Sequence, residues 1–215
     1  EDFASDVAAL ADHLDLRNII VLGGSTGGRA ALVFAAKQPD RVAALIMEDV
    51  GAVRPGSIAS GFAERRARGD PQFDTVEEWA KQLQGNNQRT PYEMFLHVAQ
   101  HGTRRMDNGK LGLKRDPAVL ADLVALELWN YVEALRAPLL LILGSESTIV
   151  GQDQQDRFRA IKPDTRIITI PDAGHIVVHD APAAFERVVR DFVREIKAPS
   201  PPRPASSRPG APGTP

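Results

Sequence analysis

The chain has 215 residues, 43% hydrophobic and 25% charged, with 26 basic and 28 acidic side chains for a formal net charge of −2. That is enough apolar chain for one domain with a sizeable core, and the near balance of charge leaves no basic footprint for nucleic acid. Cysteine is absent, which excludes disulfides, thiolate zinc sites and thiol nucleophiles, and no apolar run approaches the about 18 residues of a membrane span. The sequence starts at Glu1 without Met or a signal-like segment, so the expectation is a cytoplasmic protein whose true N-terminus lies upstream.

Phe3, Val7, Leu10 and Leu14 recur at helical spacing and predict a helix over residues 2–14. Asn18 to Leu22 form a strand-length apolar run, broken by Gly23-Gly24-Ser25-Thr26-Gly27-Gly28, and an Ala-rich helix over 26–37 follows at once. A Gly-x-Ser-x-Gly turn between a buried strand and a helix is the pattern of a nucleophile elbow. Ser25 is held exposed on a sharp turn at the carboxyl end of the strand, and Gly23 and Gly27 stand where a Cβ would collide with neighbouring chain. Two other glycine-rich turns do not fit. A dinucleotide fingerprint needs glycine where Ser25 stands, and a phosphate loop needs Lys and Ser or Thr where Arg29 and Ala30 stand.

Pro39-Asp40 ends the helix, and Val42 to Met47 read as a second strand leading into Glu48-Asp49-Val50-Gly51. Residues 52–136 change character: they hold no good strand but have helical stretches over 75–84, 91–100 and 117–129, which predicts an inserted helical cap. Its Phe62, Phe73, Trp79, Tyr92, Met94, Phe95 and Trp129 either form its core or wall an apolar pocket, and Arg65, Arg66 and Arg68 read as a solvated helix face. Ala137 to Leu143 is a third strand, 153–160 a short helix and 166–170 a fourth strand, followed by Pro171-Asp172-Ala173-Gly174-His175. A last helix runs over 181–196 with Asp180 as its expected N-cap, and the Pro-rich tail over 198–215 is expected to be disordered. The divisions are thus 1–51 core, 52–136 cap, 137–197 core and 198–215 tail. Strands apolar on both faces that alternate with helices imply an α/β fold with a mostly parallel sheet covered on both sides.

On Gly23 to Gly28, the late Gly174-His175 and their order, residues 2–196 resemble the α/β-hydrolase superfamily, in which a cap is commonly inserted where residues 52–136 lie. The resemblance implies a capped serine hydrolase that lacks its N-terminal strands and cleaves carboxylic esters or lactones by acyl transfer. Its partner would be an apolar small-molecule substrate, with no cofactor, metal, nucleic acid or membrane. Ser25 would be the nucleophile, His175 the base and then the acid, and the backbone N–H of Thr26 one oxyanion donor. The second donor belongs in the family to a loop after an earlier strand, a segment that this sequence does not contain.

The acid departs from the commonest family pattern. Gly-x-x-Asp after the third strand is here Gly144-Ser145-Glu146-Ser147, and a serine cannot supply the charge that stabilises an imidazolium. Haloalkane dehalogenases and some lactone hydrolases place the acid after the strand that follows the elbow, where Asp49 stands. Adjacent strand residues face opposite ways, so Glu48 and Asp49 cannot both serve one histidine, and Glu146, Asp153 and Asp172 are the other acids weighed. His175 with His179, and His97 with His101, have metal-pair spacing but no evident third ligand. Other readings are a carbon–carbon bond hydrolase on the same triad, a non-catalytic ligand-binding member, suggested by the missing aspartate and by Gly24, and a Rossmann-type binder with Asp49 on a ribose hydroxyl.

Overall fold

The computed structural model describes residues 2–121 and 123–197, and the tail expected to be disordered lies outside them. Helix α1 (Asp2–His13) leads into β1 (Ile19–Gly24), α2 (Ser25–Lys37) and β2 (Val42–Glu48). Then come β3 (Val53–Arg54), α3 (Gly56–Arg68), β4 (Gln72–Phe73), α4 (Val76–Gln84), α5 (Tyr92–Gly102), β5 (Thr103–Arg105), β6 (Leu111–Leu113), a 3-10 turn (Pro117–Ala121), β7 (Leu126–Glu127) and α6 (Trp129–Ala134). The chain returns through β8 (Leu139–Gly144), α7 (Gln152–Ile161), β9 (Arg166–Ile170), α8 (Val177–Asp180) and α9 (Pro182–Lys197).

The main sheet has the order β1-β2-β8-β9 and all its pairs are parallel. Alternation along each strand sorts side chains to the two faces. Ala44, Ile46, Leu140 and Ile142 meet Val177, Phe185 and Phe192 of α8 and α9, whereas Leu45, Met47, Leu139 and Leu141 meet Leu32 and Phe34 of α2, Val132 of α6 and Phe158 of α7. The result is the α/β fold expected, a parallel sheet between two helical layers. Strand β1 is an edge of this sheet, with Leu22 43% exposed beside a groove of about 770 Å³ lined by Ile20, Val189 and Val193. Among the described residues, no helix is long and apolar enough to cross a membrane.

Residues 52–136 do contain strands, which corrects the expectation of a purely helical insert. Strand β3 pairs antiparallel with β7, and β4, β6 and β5 form a three-stranded antiparallel sheet. Each is two or three residues long, too short for a period of two to register. The helix expected over 117–129 is instead the 3-10 turn, β7 and the start of α6. Helix α3 buries no residue fully, its Ile58, Ala59 and Phe62 being half-buried, and Arg65, Arg66 and Arg68 lie exposed on it. Phe73, Trp79, Phe95 and Leu111 form a small separate core in which the Phe73 and Trp79 rings stack at 4.5 Å. Trp129 instead joins the main core, edge-on to Phe158 at 5.0 Å.

The turn between β1 and α2 depends on close backbone approach. A Cβ on Gly23 would lie 2.6 Å from the carbonyl carbon and oxygen of Gly27, whereas one on Gly27 would meet nothing within 4 Å. The second steric requirement falls on Gly28, where a Cβ would come within 2.5 Å of Val50 Cγ1, so Gly27 is not the constrained glycine that the motif suggests. Gly23→Ala is expected to destabilise the fold by about 3 kcal/mol, because the atoms it meets are backbone and cannot swing away. Gly27→Ala should stay within about 1 kcal/mol of the wild type, and urea unfolding of the two variants checks the contrast.

Candidate active site

Register carries the candidate residues to one end of the sheet. Gly24 pairs with Glu48, Glu48 with Ile142 and Gly144 with Ile170, so the loops after all four strands open on the carboxyl edge, where ligands bind in open parallel sheets. Ser25 follows β1, Asp49 follows β2, Ser145 to Ser147 follow β8 and His175 follows β9. Ser25 has φ 50° and Asp49 φ 42°, both left-handed conformations that non-glycine residues rarely adopt and that cluster at functional sites. Thr26 lies in the first turn of α2, where backbone N–H groups have no intrahelical acceptor and the helix dipole favours negative charge.

Asp49 is 1% exposed and has three polar partners. Its Oδ1 accepts from the Gly144 N–H at 3.2 Å, and its Oδ2 accepts from the Ser147 hydroxyl at 2.5 Å and lies 2.8 Å from His175 Nδ1. An ionised carboxylate only accepts, so this contact calls for a proton on Nδ1 and turns Nε2 away from Asp49. Ser147 stands where the commoner pattern has the acid, and its hydroxyl donates to the Asp49 carboxylate at the end of the neighbouring strand. The sequence contains the signal for this role, the serine in the Gly-x-x-Asp slot, but only the fold shows what it touches.

Glu48 turns the other way. Its Oε1 accepts from the Val178 N–H at 2.8 Å at the start of α8, and its Oε2 occupies the space that a Cβ on Gly24 would need, at 2.6 Å. A side chain at position 24 would therefore have to displace only the end of the Glu48 side chain. Glu146 is exposed, 3.7 Å from Arg89, Asp153 sits in the first turn of α7, and Asp172 occupies a turn with φ 57°. The structure brings Asp49 and His175 together, and among the described residues no hydrogen bond joins Ser25 to His175. His97 and His101 are exposed on α5 with ring centroids 4.4 Å apart, and no metal-binding group of three or more His, Cys, Asp or Glu occurs among the described residues.

Asp180 is not the N-cap expected. Its Oδ2 accepts from the Gly174 N–H at 2.7 Å, and its Oδ1 accepts from the Thr90 hydroxyl and, at 3.4 Å, from Asn87 Nδ2. One carboxylate thus braces the loop carrying His175 and ties it to residues 87–90 of the insert. A cavity of about 490 Å³ lies at this junction, lined by His175, His179, Arg89, Thr90 and Phe95 among others. On the other side of the elbow two further groups escape sequence reasoning: Arg29 and Arg54 are buried, and Arg54 Nη2 approaches Thr26 Oγ1 at 3.5 Å. Burial, and next the charge of Arg54, lower the pKa of Arg29 to about 10.

A family model described as alpha/beta hydrolase fold matches residues 1–182. The chain belongs to the alpha/beta hydrolase fold family. Within it, a protein of Bacillus subtilis (strain 168) that carries the provisional name 2-succinyl-6-hydroxy-2,4-cyclohexadiene-1-carboxylate synthase is 29% identical over 203 residues, 89% of this chain and 72% of that protein. Esterase Rv0045c of Mycobacterium tuberculosis (strain ATCC 25618 / H37Rv) is 28% identical over 177 residues, 79% of this chain and 59% of its own length. The crystal structure of E-2-(acetamidomethylene)succinate hydrolase superposes with a TM-score of 0.78 at 23% identity, covering 90% of this chain and 73% of that one, a likeness of fold. The chain spans 59 to 72% of the length of the two sequence relatives.

Proposed function

We propose that this chain carries the catalytic residues of a serine hydrolase that cleaves carboxylic esters or lactones of small molecules. Ser25 attacks the carbonyl carbon, His175 Nε2 takes the hydroxyl proton and then delivers it to the leaving oxygen, and water returns along the same path to release the acid. Asp49 keeps the proton on Nδ1 and stabilises the imidazolium, while the Thr26 N–H takes up charge developing on the carbonyl oxygen. The observation that carries this reading is the buried Asp49 carboxylate 2.8 Å from His175 Nδ1, with the strand that leads into Asp49 paired to the strand that leads into Ser25.

Residues 52–136 act as the cap in this scheme, with the Asn87 and Thr90 contacts to Asp180 holding its inner loop against the histidine loop. The names of the relatives include an esterase and a hydrolase of a succinate, so the substrate class is a small carbonyl compound. Two measurements test the proposal: turnover of short-chain p-nitrophenyl esters, and labelling by a fluorophosphonate followed by peptide mapping. Turnover with label on the Ser25 peptide is the expected result. A folded protein that binds ligands but neither turns over esters nor takes the label would instead be the non-catalytic member of the fold.

A further inference from the structure

We infer that Arg29 and Arg54 form a carboxylate-binding site beside the elbow, so that the substrate carries an anionic group in addition to its scissile carbonyl; this rests on the reading of Ser25 as nucleophile. The two side chains belong to residues only 7% and 4% exposed, yet neither has an ion-pair partner among the described residues. Lys162, the other buried basic residue among the described residues, is paired with Asp164 at 3.1 Å. Buried charges are ordinarily paired, because stripping water from an ion without a counter-charge is costly. Here two like charges are buried as neighbours, and the cost shows in the lowered pKa of Arg29.

Their donors are underused. Arg29 Nη2 donates to the Val53 carbonyl at 2.8 Å while its Nε is buried without a partner, and Arg54 Nη1 donates to the Val124 carbonyl at 3.0 Å. Those bonds hold the guanidinium groups in place without neutralising them. A structural strut to a carbonyl needs only a neutral amide, which would avoid the burial of two positive charges. A bound carboxylate supplies the missing counter-charge and accepts from the planar forks in the geometry that suits arginine.

The position suits a substrate group. Arg29 lies one turn beyond Ser25 on the same face of α2, and Arg54 reaches the side chain of Thr26, whose N–H is the proposed oxyanion donor. Both arginines and Thr26 line a cavity of about 90 Å³ whose remaining walls include Val33, Leu123 and Leu128. That volume leaves room for a carboxylate and a short link.

In the full chain, kcat/KM for the p-nitrophenyl monoesters of succinate and glutarate is compared with that for p-nitrophenyl butyrate. The charged esters should be preferred, and Arg29→Gln or Arg54→Gln should each cut the charged-to-neutral ratio by about 10- to 100-fold, mostly through KM. Arg54→Lys, which keeps the charge, should restore part of the preference. A purely structural role would shift both substrate types together and leave the ratio unchanged, which would overturn the inference. Calorimetric titration of free glutarate into Ser25→Ala gives a readout that needs no turnover. Binding there that is lost on adding Arg54→Gln supports the site even where no ester is hydrolysed, so a failure of the nucleophile reading is seen separately. Absence of glutarate binding, or binding of inorganic phosphate alone, overturns it. Should the glutamine variants not fold, a glutarate-dependent rise in the Tm of Ser25→Ala supports the site and no rise overturns it.

Discussion

Ser25→Ala is expected to lower the rate on any ester that the protein turns over by about 10³-fold or more and to abolish fluorophosphonate labelling. The reason is chemical: without the Ser25 hydroxyl the proposed acyl-enzyme cannot form there, and binding with the remaining N–H dipoles accounts only for residual catalysis. The turn itself should survive, because alanine changes one atom at a position whose strain is set by the φ of 50° and by the packing of Gly23 on Gly27. Unchanged circular dichroism and unfolding midpoint would confirm that the loss is in chemistry. Labelling that persists in the variant would place the nucleophile elsewhere.

Asp49→Asn is expected to be nearly as damaging as His175→Ala, about 10⁴-fold in kcat, whereas Asp153→Asn should change little. The asparagine fits the same space, but where Oδ2 accepted from Nδ1 an amide NH₂ now faces the ring. The imidazole must move its proton to Nε2, and the base is lost without loss of the fold. Ser147 sharpens the test, since its hydroxyl lies 2.5 Å from the oxygen that His175 uses. Ser147→Asp added to Asp49→Asn should recover about 10-fold or more, because it returns a carboxylate to within reach of Nδ1 from the neighbouring strand. Kinetics of the single and double variants, compared at equal stability, check both statements. Near-normal turnover in Asp49→Asn would move the role to another acid, Glu48 or Glu146.

Much of the scaffold was legible because it is repetitive. The runs at Ile19 to Leu22, Val42 to Met47 and Leu139 to Leu143 are apolar on both faces, which only a sheet covered on both sides can accommodate. The insert was less legible. Strands such as Val53–Arg54 and Gln72–Phe73 owe their pairing to distant partners, Leu126–Glu127 and Leu111–Gly112, and two residues carry no periodicity. Helix α3 was less legible for another reason, since it carries Gly56 and Gly61 and only Ile58, Ala59 and Phe62 of it are half-buried. Asp180 looked like a cap because it precedes Ala181-Pro182, yet its carboxylate is drawn to Gly174 and Thr90, groups brought close only by folding.

By itself, the order of residues determined the α/β class, the sharp turn at Ser25 and the place of His175 after the last strand, because each depends on local sterics or on the period of a single segment. Tertiary structure decided which acid meets the histidine. Glu48 and Asp49 are neighbours of like charge, and no local rule ranks them. The parallel register of β2 with β8 sends Glu48 to the start of α8 and Asp49 to the loop shared with Gly144 and Ser147, where three donors surround it. Tertiary structure likewise decided the pairing of Arg29 with Arg54: they come from a helix and a short strand that only the fold places side by side, and burial of their charges is a property of the assembled core, which no stretch of sequence carries alone.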